Sequence, residues 1–188
     1  RGNKLVVSTP SLSADTRHTL AVAYRGRPGP AAAPTKRSDI PAVGWTNTRE
    51  GGMWTMQEPF GAFTWYPVND HPSDKAYYDI SVDVPSRMVG VSNGTLLSRE
   101  TSSGRTMTRW RMTDPAASYL VTLAIGDYVA LRERGPHDLP LTYWILRDQQ
   151  RFVSTLRRSP AILRWLERRL GPYPFDRVHG RSLLGART

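Results

Sequence analysis

Residues 58–76 read EPFGAFTWYPVNDHPSDKA, and the rest of the chain is read outward from them. The stretch opens on a carboxylate, Glu58, and continues through Phe60, Phe63, Trp65 and Tyr66 to the polar run Asn69-Asp70-His71, with prolines bounding its turns. Just upstream, Gly51-Gly52 followed by Met53-Trp54-Thr55-Met56 predicts a turn into a buried strand. That strand should end near Glu58-Pro59, because proline has no N–H to give to a sheet ladder. Glu58 then stands at a strand end, before the small residues Gly61-Ala62, where it reads either as a carboxylate beside a concavity that pairs with a cationic group or as a solvated loop glutamate.

Downstream, Tyr78, Ile80, Val82 and Val84 alternate with Asp79, Ser81 and Asp83, the pattern of a half-buried strand ended by Pro85. Residues 88–92 and 96–98 flank Asn93-Gly94, which favours a tight hairpin turn. A second hairpin is predicted between 95–100 and 105–112 across the polar turn 101–104, with Trp110 facing the core. Residues 119–125 are apolar almost throughout, as in a strand covered on both faces, and 128–132 continue beyond Gly126-Asp127. The last strand expected is 141–146. From Asp148 the apolar residues Phe152, Leu156, Ile162, Leu163, Leu166 and Leu170 fall at helical spacing. Ser159 as N-cap, Pro160 in the first turn and Gly171 as stop predict a helix over 160–170.

Upstream, 5–7 and the alternating 19–24 read as strands, and the Pro- and Gly-rich segment 25–41 as a long exposed loop. Many short strands followed by helices predict a mainly β, antiparallel domain over 1–135. Residues 136–188 would then be the connection and first helices of a second domain. The fold class is an antiparallel saddle-like β-sandwich followed by a short helical segment.

With 188 residues and a hydrophobic fraction of 39%, the chain can bury an ordinary core. No apolar run approaches the roughly 18 residues needed to span a bilayer, so no membrane segment is expected. The first residue is Arg1, from which we expect the start to lie upstream; an extracytoplasmic compartment is favoured over a cytoplasmic one. The absence of cysteine excludes disulfides, thiolate metal sites and cysteine nucleophiles. The net charge of +10 comes mostly from arginine and thickens from Arg132 onward. No basic run alternates with exposed aromatics as stacking grooves require, so nucleic acid is not an expected partner.

No two of His18, His71, His137 and His179 have the i, i+4 spacing of a helical metal pair. Asn69, Asp70, Ser73 and Asp74 read as turn residues that bond nearby backbone amides, ahead of acid–base work. No phosphate loop with its lysine is present.

Around Glu58 the sequence resembles the gluzincin metalloaminopeptidases of the aminopeptidase N and leukotriene hydrolase family. The matching residues are Gly44-Trp45, Glu58-Pro59, Gly61-Ala62, Trp65-Tyr66-Pro67 and the run from Asn69 to Ala76. Ser92-Asn93-Gly94, Trp110, Tyr119-Leu120 and Gly171-Pro172-Tyr173-Pro174-Phe175 follow in the family's order. The resemblance implies a β domain packed against a thermolysin-like zinc domain, with Glu58 binding the free α-amino group of a peptide. The substrate-binding residues it implies are Glu58, Gln57 and Met56, where many members carry glutamine at the position of Met56 and cysteine at that of Val68.

The family's G-A-M-E-N loop and H-E-x-x-H helix should follow Phe175, and neither appears before Thr188. Zinc is therefore expected in the parent enzyme, with its ligands absent from this chain and no catalytic residue within it. The implied partners are a peptide with a free N-terminus and the catalytic domain of the same polypeptide. The alternative is a non-catalytic β-sandwich module that binds a peptide or partner domain through the same loop. Either way, a mobility-shift measurement at about 50 mM salt, where phosphate contacts are strongest, should show negligible nucleic-acid binding.

Overall fold

The structure, a computed structural model, describes residues 4–35, 39–175 and 178–181, the last three by backbone alone. Strand β1 (Pro30–Ala32) pairs with β2 (Ala42–Asn47), and β2 with β3 (Met53–Met56), all antiparallel. Then come β4 (Lys75–Ala76), β5 (Asp79–Pro85), β6 (Val89–Ser92), β7 (Thr95–Ser102) and β8 (Arg105–Arg111). After β9 (Ala116–Ala117), strand β10 (Leu123–Gly126) inserts between β3 and β6, giving the central sheet order β1-β2-β3-β10-β6. A second sheet has the order β5-β8-β7.

Alternation explains how the two sheets stack. Val82 and Val84 of β5 turn inward with Thr106, Thr108 and Trp110 of β8, while Arg105, Met107, Arg109 and Arg111 face outward. The inward set meets Met53 and Leu123 of the central sheet in one apolar cluster with Met88. At Gly90 the sheets pack so closely that a Cβ would overlap the Val82 side chain. Gly90 also offers its carbonyl to the Thr108 hydroxyl at 2.7 Å and the Trp110 indole N–H at 3.1 Å, so both buried donors are satisfied there.

On the other side, Val89, Val91, Trp110 and Ala124 join Tyr128 and Trp144, with Trp54 packed against them. Tyr128 opens β11 (Tyr128–Arg134), and Trp144 lies on β12 (Pro140–Leu146), its antiparallel partner. The Trp110 and Trp144 rings meet edge to face at 5.8 Å, which couples this third sheet to the first two. After α1 (Val153–Leu156) and α2 (Ser159–Leu170), strand β13 (Val178–Arg181) pairs parallel to β12. The expected boundary between 135 and 136 falls in the turn of the β11–β12 hairpin.

The molecule is mainly β with antiparallel sheets and few helices, as the sequence predicts. Several local expectations are corrected. Residues 5–7 and 19–24 form no strand: among the described residues no sheet edge pairs with them, and Leu5, Val6, Leu20 and Tyr24 stay exposed. The loop 25–41 contains β1, whose Ala31 pairs with Val43; its residues 36–38 lie outside the described residues. Asn93-Gly94 is a corner between two sheets and not a hairpin, since β6 pairs with β10 and β7 with β8. Its geometry does require glycine: φ is +85° at Gly94, and a Cβ there would overlap the Arg111 carbonyl. Asn93 locks the corner by donating to the Leu120 carbonyl at 3.1 Å and accepting the Thr122 N–H at 2.5 Å.

The apolar run 119–125 begins in a single 3₁₀ turn, Ser118–Leu120, before β10. The strand 141–146 is not the last, because β13 follows it. Ser159 caps no helix: its hydroxyl donates back to the Leu156 carbonyl at 2.7 Å. Leu163 of α2 packs on Leu141, Tyr143 and Ile145, whereas Ile162, Trp165, Leu166 and Leu170 are exposed. Trp110, 1% exposed, packs in the cluster with Val89, Tyr128 and Trp144 and donates to the Gly90 carbonyl. Trp110→Ala should therefore destabilise the fold by about 3–5 kcal/mol, read as a lower urea midpoint at unchanged m-value.

Candidate functional site

Strand β3 sorts the residues of the site into two sets. Met53, Thr55 and Gln57 are buried on one side, whereas Trp54 and Met56 are half-buried on the other and Glu58 is exposed beyond the strand end. Thr55 accepts the Leu123 N–H at 2.9 Å through its hydroxyl. Gln57, 2% exposed, uses its whole amide inside the fold. Its Nε2 donates to the Ser118 carbonyl at 2.9 Å and to the Val121 carbonyl, and its Oε1 accepts the Trp65 indole N–H at 2.9 Å. The Glu58–Pro59 peptide is cis, and among the described residues no hydrogen bond or ion pair engages the Glu58 carboxylate.

Beyond Glu58 the chain folds back over β2. Met56 faces Gly44 in the register, and Gly44 (φ +89°) touches Gly61 (φ +135°) so closely that a Cβ on either would meet the other's backbone. Two glycines are needed here because both the dihedral angles and the contact exclude side chains. Residues 62–64 then make one 3₁₀ turn. Its Thr64 hydroxyl accepts the Trp45 N–H at 3.0 Å and donates to the Gly61 carbonyl at 2.7 Å. The Phe60 and Phe63 rings stack with centroids 6.3 Å apart.

The polar run downstream is also tied into the fold. Asp70 accepts the Gly61 N–H at 2.7 Å on Oδ2 and the Ser118 hydroxyl at 2.5 Å on Oδ1. Asn69 donates to Asp74 at 3.0 Å, and the His71 ring lies 2.7 Å from the Ser73 hydroxyl. The two-residue pairing of β4 with β9 then brings the end of the stretch beside Ser118. Burial, with Tyr78 and Asp70 nearby, pushes the Tyr66 hydroxyl well above its ordinary pKa, so it stays neutral.

The structure thus brings Met56, Glu58 and Pro59 to the surface end of β3 and keeps Gln57 inside. Sequence reasoning missed Ser118 and Val121, which carry no local signal in Ala-Ala-Ser-Tyr-Leu-Val and matter only through contacts some sixty residues away. It also missed a cavity of about 440 Å³ at the Gly52 end of β3, floored by Trp54, Met88, Ile125 and Leu146. Among the described residues no group of three or more His, Cys, Asp or Glu side chains could hold a metal ion, so zinc ligation does not fit them.

Comparison with known proteins gives these features a family. Human glutamyl aminopeptidase is 28% identical over 97 residues, which are 51% of this chain and 10% of that protein. Tricorn protease-interacting factor F2 of Thermoplasma volcanium is 32% identical over 90 residues, 47% of this chain and 11% of that protein. The chain therefore spans about a tenth of the length of these relatives. In fold it is similar to the M1 zinc metallopeptidase from Deinococcus radiodurans, with TM-score 0.70 and 21% identity over 83% of this chain and 36% of that one. It is also similar to Legionella pneumophila aminopeptidase A in complex with aspartic acid, with TM-score 0.65 and 18% identity over 74% of this chain and 17% of that one. The model of the peptidase M1 N-terminal domain matches residues 1–120 of the 188, and the chain belongs to that family.

Proposed function

We propose that this chain is the N-terminal part of a zinc-dependent aminopeptidase that removes N-terminal residues from peptides, with Glu58 anchoring the substrate α-amino group. The observation that carries this reading is an exposed carboxylate without a partner among the described residues, flanked by Gln57 and Gly61, which are bonded into the fold. A peptide N-terminus is an ammonium, and a carboxylate is its natural partner through charge-assisted hydrogen bonds. An anchor on the terminal amine also fixes the distance to the first peptide bond, which restricts cleavage to one residue at a time. The relatives named aminopeptidases and the M1 zinc metallopeptidase bound to L-arginine support it by analogy.

In this reading Met56 lies beside the first substrate side chain, since it leaves β3 on the same side as Glu58 two residues earlier. Gln57 contributes from beneath, holding the strand end in place. Residues 1–135 supply the β domain, and 136–188 begin the catalytic domain, in which α1 and α2 connect the parallel strands β12 and β13. Zinc chemistry is assigned to the remainder of a longer polypeptide, because the described residues offer no ligand set. Peptide substrate and that remainder are the partners.

In the full-length polypeptide, Glu58→Ala should raise KM for substrates with a free N-terminus by about ten- to a hundredfold, as loss of one charge-assisted contact of about 1.5–3 kcal/mol implies. An unchanged KM would place the anchor elsewhere. The 188-residue chain by itself should hydrolyse no aminoacyl amide. Hydrolysis by this chain that a chelator abolishes would overturn the assignment of the metal site to the remainder.

A further inference from the structure

Asp70 belongs to a turn with no chemistry of its own in the reading above, yet it reaches the loop that presents Glu58. Its two carboxylate oxygens accept different donors, the Gly61 N–H at 2.7 Å and the Ser118 hydroxyl at 2.5 Å. Ser118, 1% exposed, also receives Nε2 of Gln57 on its carbonyl at 2.9 Å. One buried residue therefore holds the loop at both ends. Gln57, just before Glu58, is bonded to the Ser118 backbone, and Gly61, three residues after Glu58, is bonded through Asp70 to the Ser118 side chain.

We propose that Asp70 is a positioning residue for Glu58, closing with Ser118 and Gln57 a hydrogen-bonded frame around Glu58-Pro59-Phe60. The proposal rests on the reading of Glu58 as the amine anchor. Only three residues lie between the fixed points Gln57 and Gly61, so the frame limits where the Glu58 backbone can go. A carboxylate suits the corner position because it accepts an N–H and an O–H at once, and its bonds are shorter and stronger than those of a neutral acceptor. The frame matters because the amine anchor sets the reach to the scissile bond, and a displacement of about 1 Å in such a contact can cost up to a hundredfold in rate.

The test is a double-mutant cycle in the full-length polypeptide, with kcat and KM measured on an aminoacyl amide and Tm recorded for each variant. Asp70→Ala should lower kcat/KM about tenfold when Glu58 is present and less than about twofold when Glu58 is already alanine, because the frame then positions nothing. Asp70→Asn should recover most of that loss, since its carbonyl oxygen accepts the Gly61 N–H and the Ser118 hydroxyl can turn to accept its amide. An equal loss with and without Glu58 would show general support of the fold and overturn the proposal. If Asp70→Ala does not fold, Ser118→Ala enters the same cycle and is expected to show a smaller loss that likewise disappears without Glu58; a loss that persists overturns the proposal. Should Glu58→Ala alone leave kcat/KM unchanged, the amine-anchor reading fails, and the positioning role fails with it.

Discussion

A primary amide is tolerated in an apolar interior only when its donors and its acceptor are bonded, and at Gln57 they are. Each such bond adds on the order of 1 kcal/mol, but an unpaired buried partner costs about 1–3 kcal/mol, so the geometry is enforced more by penalty than by gain. Three segments are thereby held in register: the end of β3, the Trp65 turn and the residues following β9. The surface position of Glu58 follows from that, because the strand cannot slide by one residue without turning the amide outward and burying a carboxylate in its place.

The same constraint explains why the layers differ in how much they ask of the sequence. Between the central sheet and β5-β8-β7 the contact is close, set by Gly90 against Val82. Outward, the arginines of β8 find cross-strand carboxylates, Arg105 with Asp83 at 2.8 Å and Arg111 with Asp79 at 2.7 Å. These pairs are exposed, and each is worth little to stability. With Arg147 on Asp127 and Arg169 over the Trp165 ring, several of the arginines behind the net charge serve cross-strand and helix-surface contacts.

Where period and chain-stopping residues act locally, the structure was legible. The alternation of β5, the stop of α2 at Gly171 and the end of β3 before Pro59 all follow from residues within a few positions. Whether a β-like pattern becomes a strand depends on a partner, and 19–24 has none among the described residues despite its alternation. At Asn93-Gly94 the tolerance for positive φ was legible, but the assignment of its flanks to different sheets is a tertiary fact. Within the site, the inward direction of Gln57 follows from the parity of Met53 and Thr55. The role of Ser118 does not, since nothing near it in sequence distinguishes it from an ordinary loop serine.

Sequence separation gives the site an order of assembly. The partners of Gln57 lie 61 and 64 residues downstream, and the Thr55 hydroxyl is paired with a residue 68 positions away. During synthesis, then, β3 and the loop after it leave the ribosome long before β10 exists to sit beside them. The β5 and β8 pairing, with far shorter separations, can close first, and loop closure over a long span is costly until its contacts form. The carboxylate at the end of β3 is thus encoded early but given its place late, by the segment that leads into the strand completing the middle of the sheet.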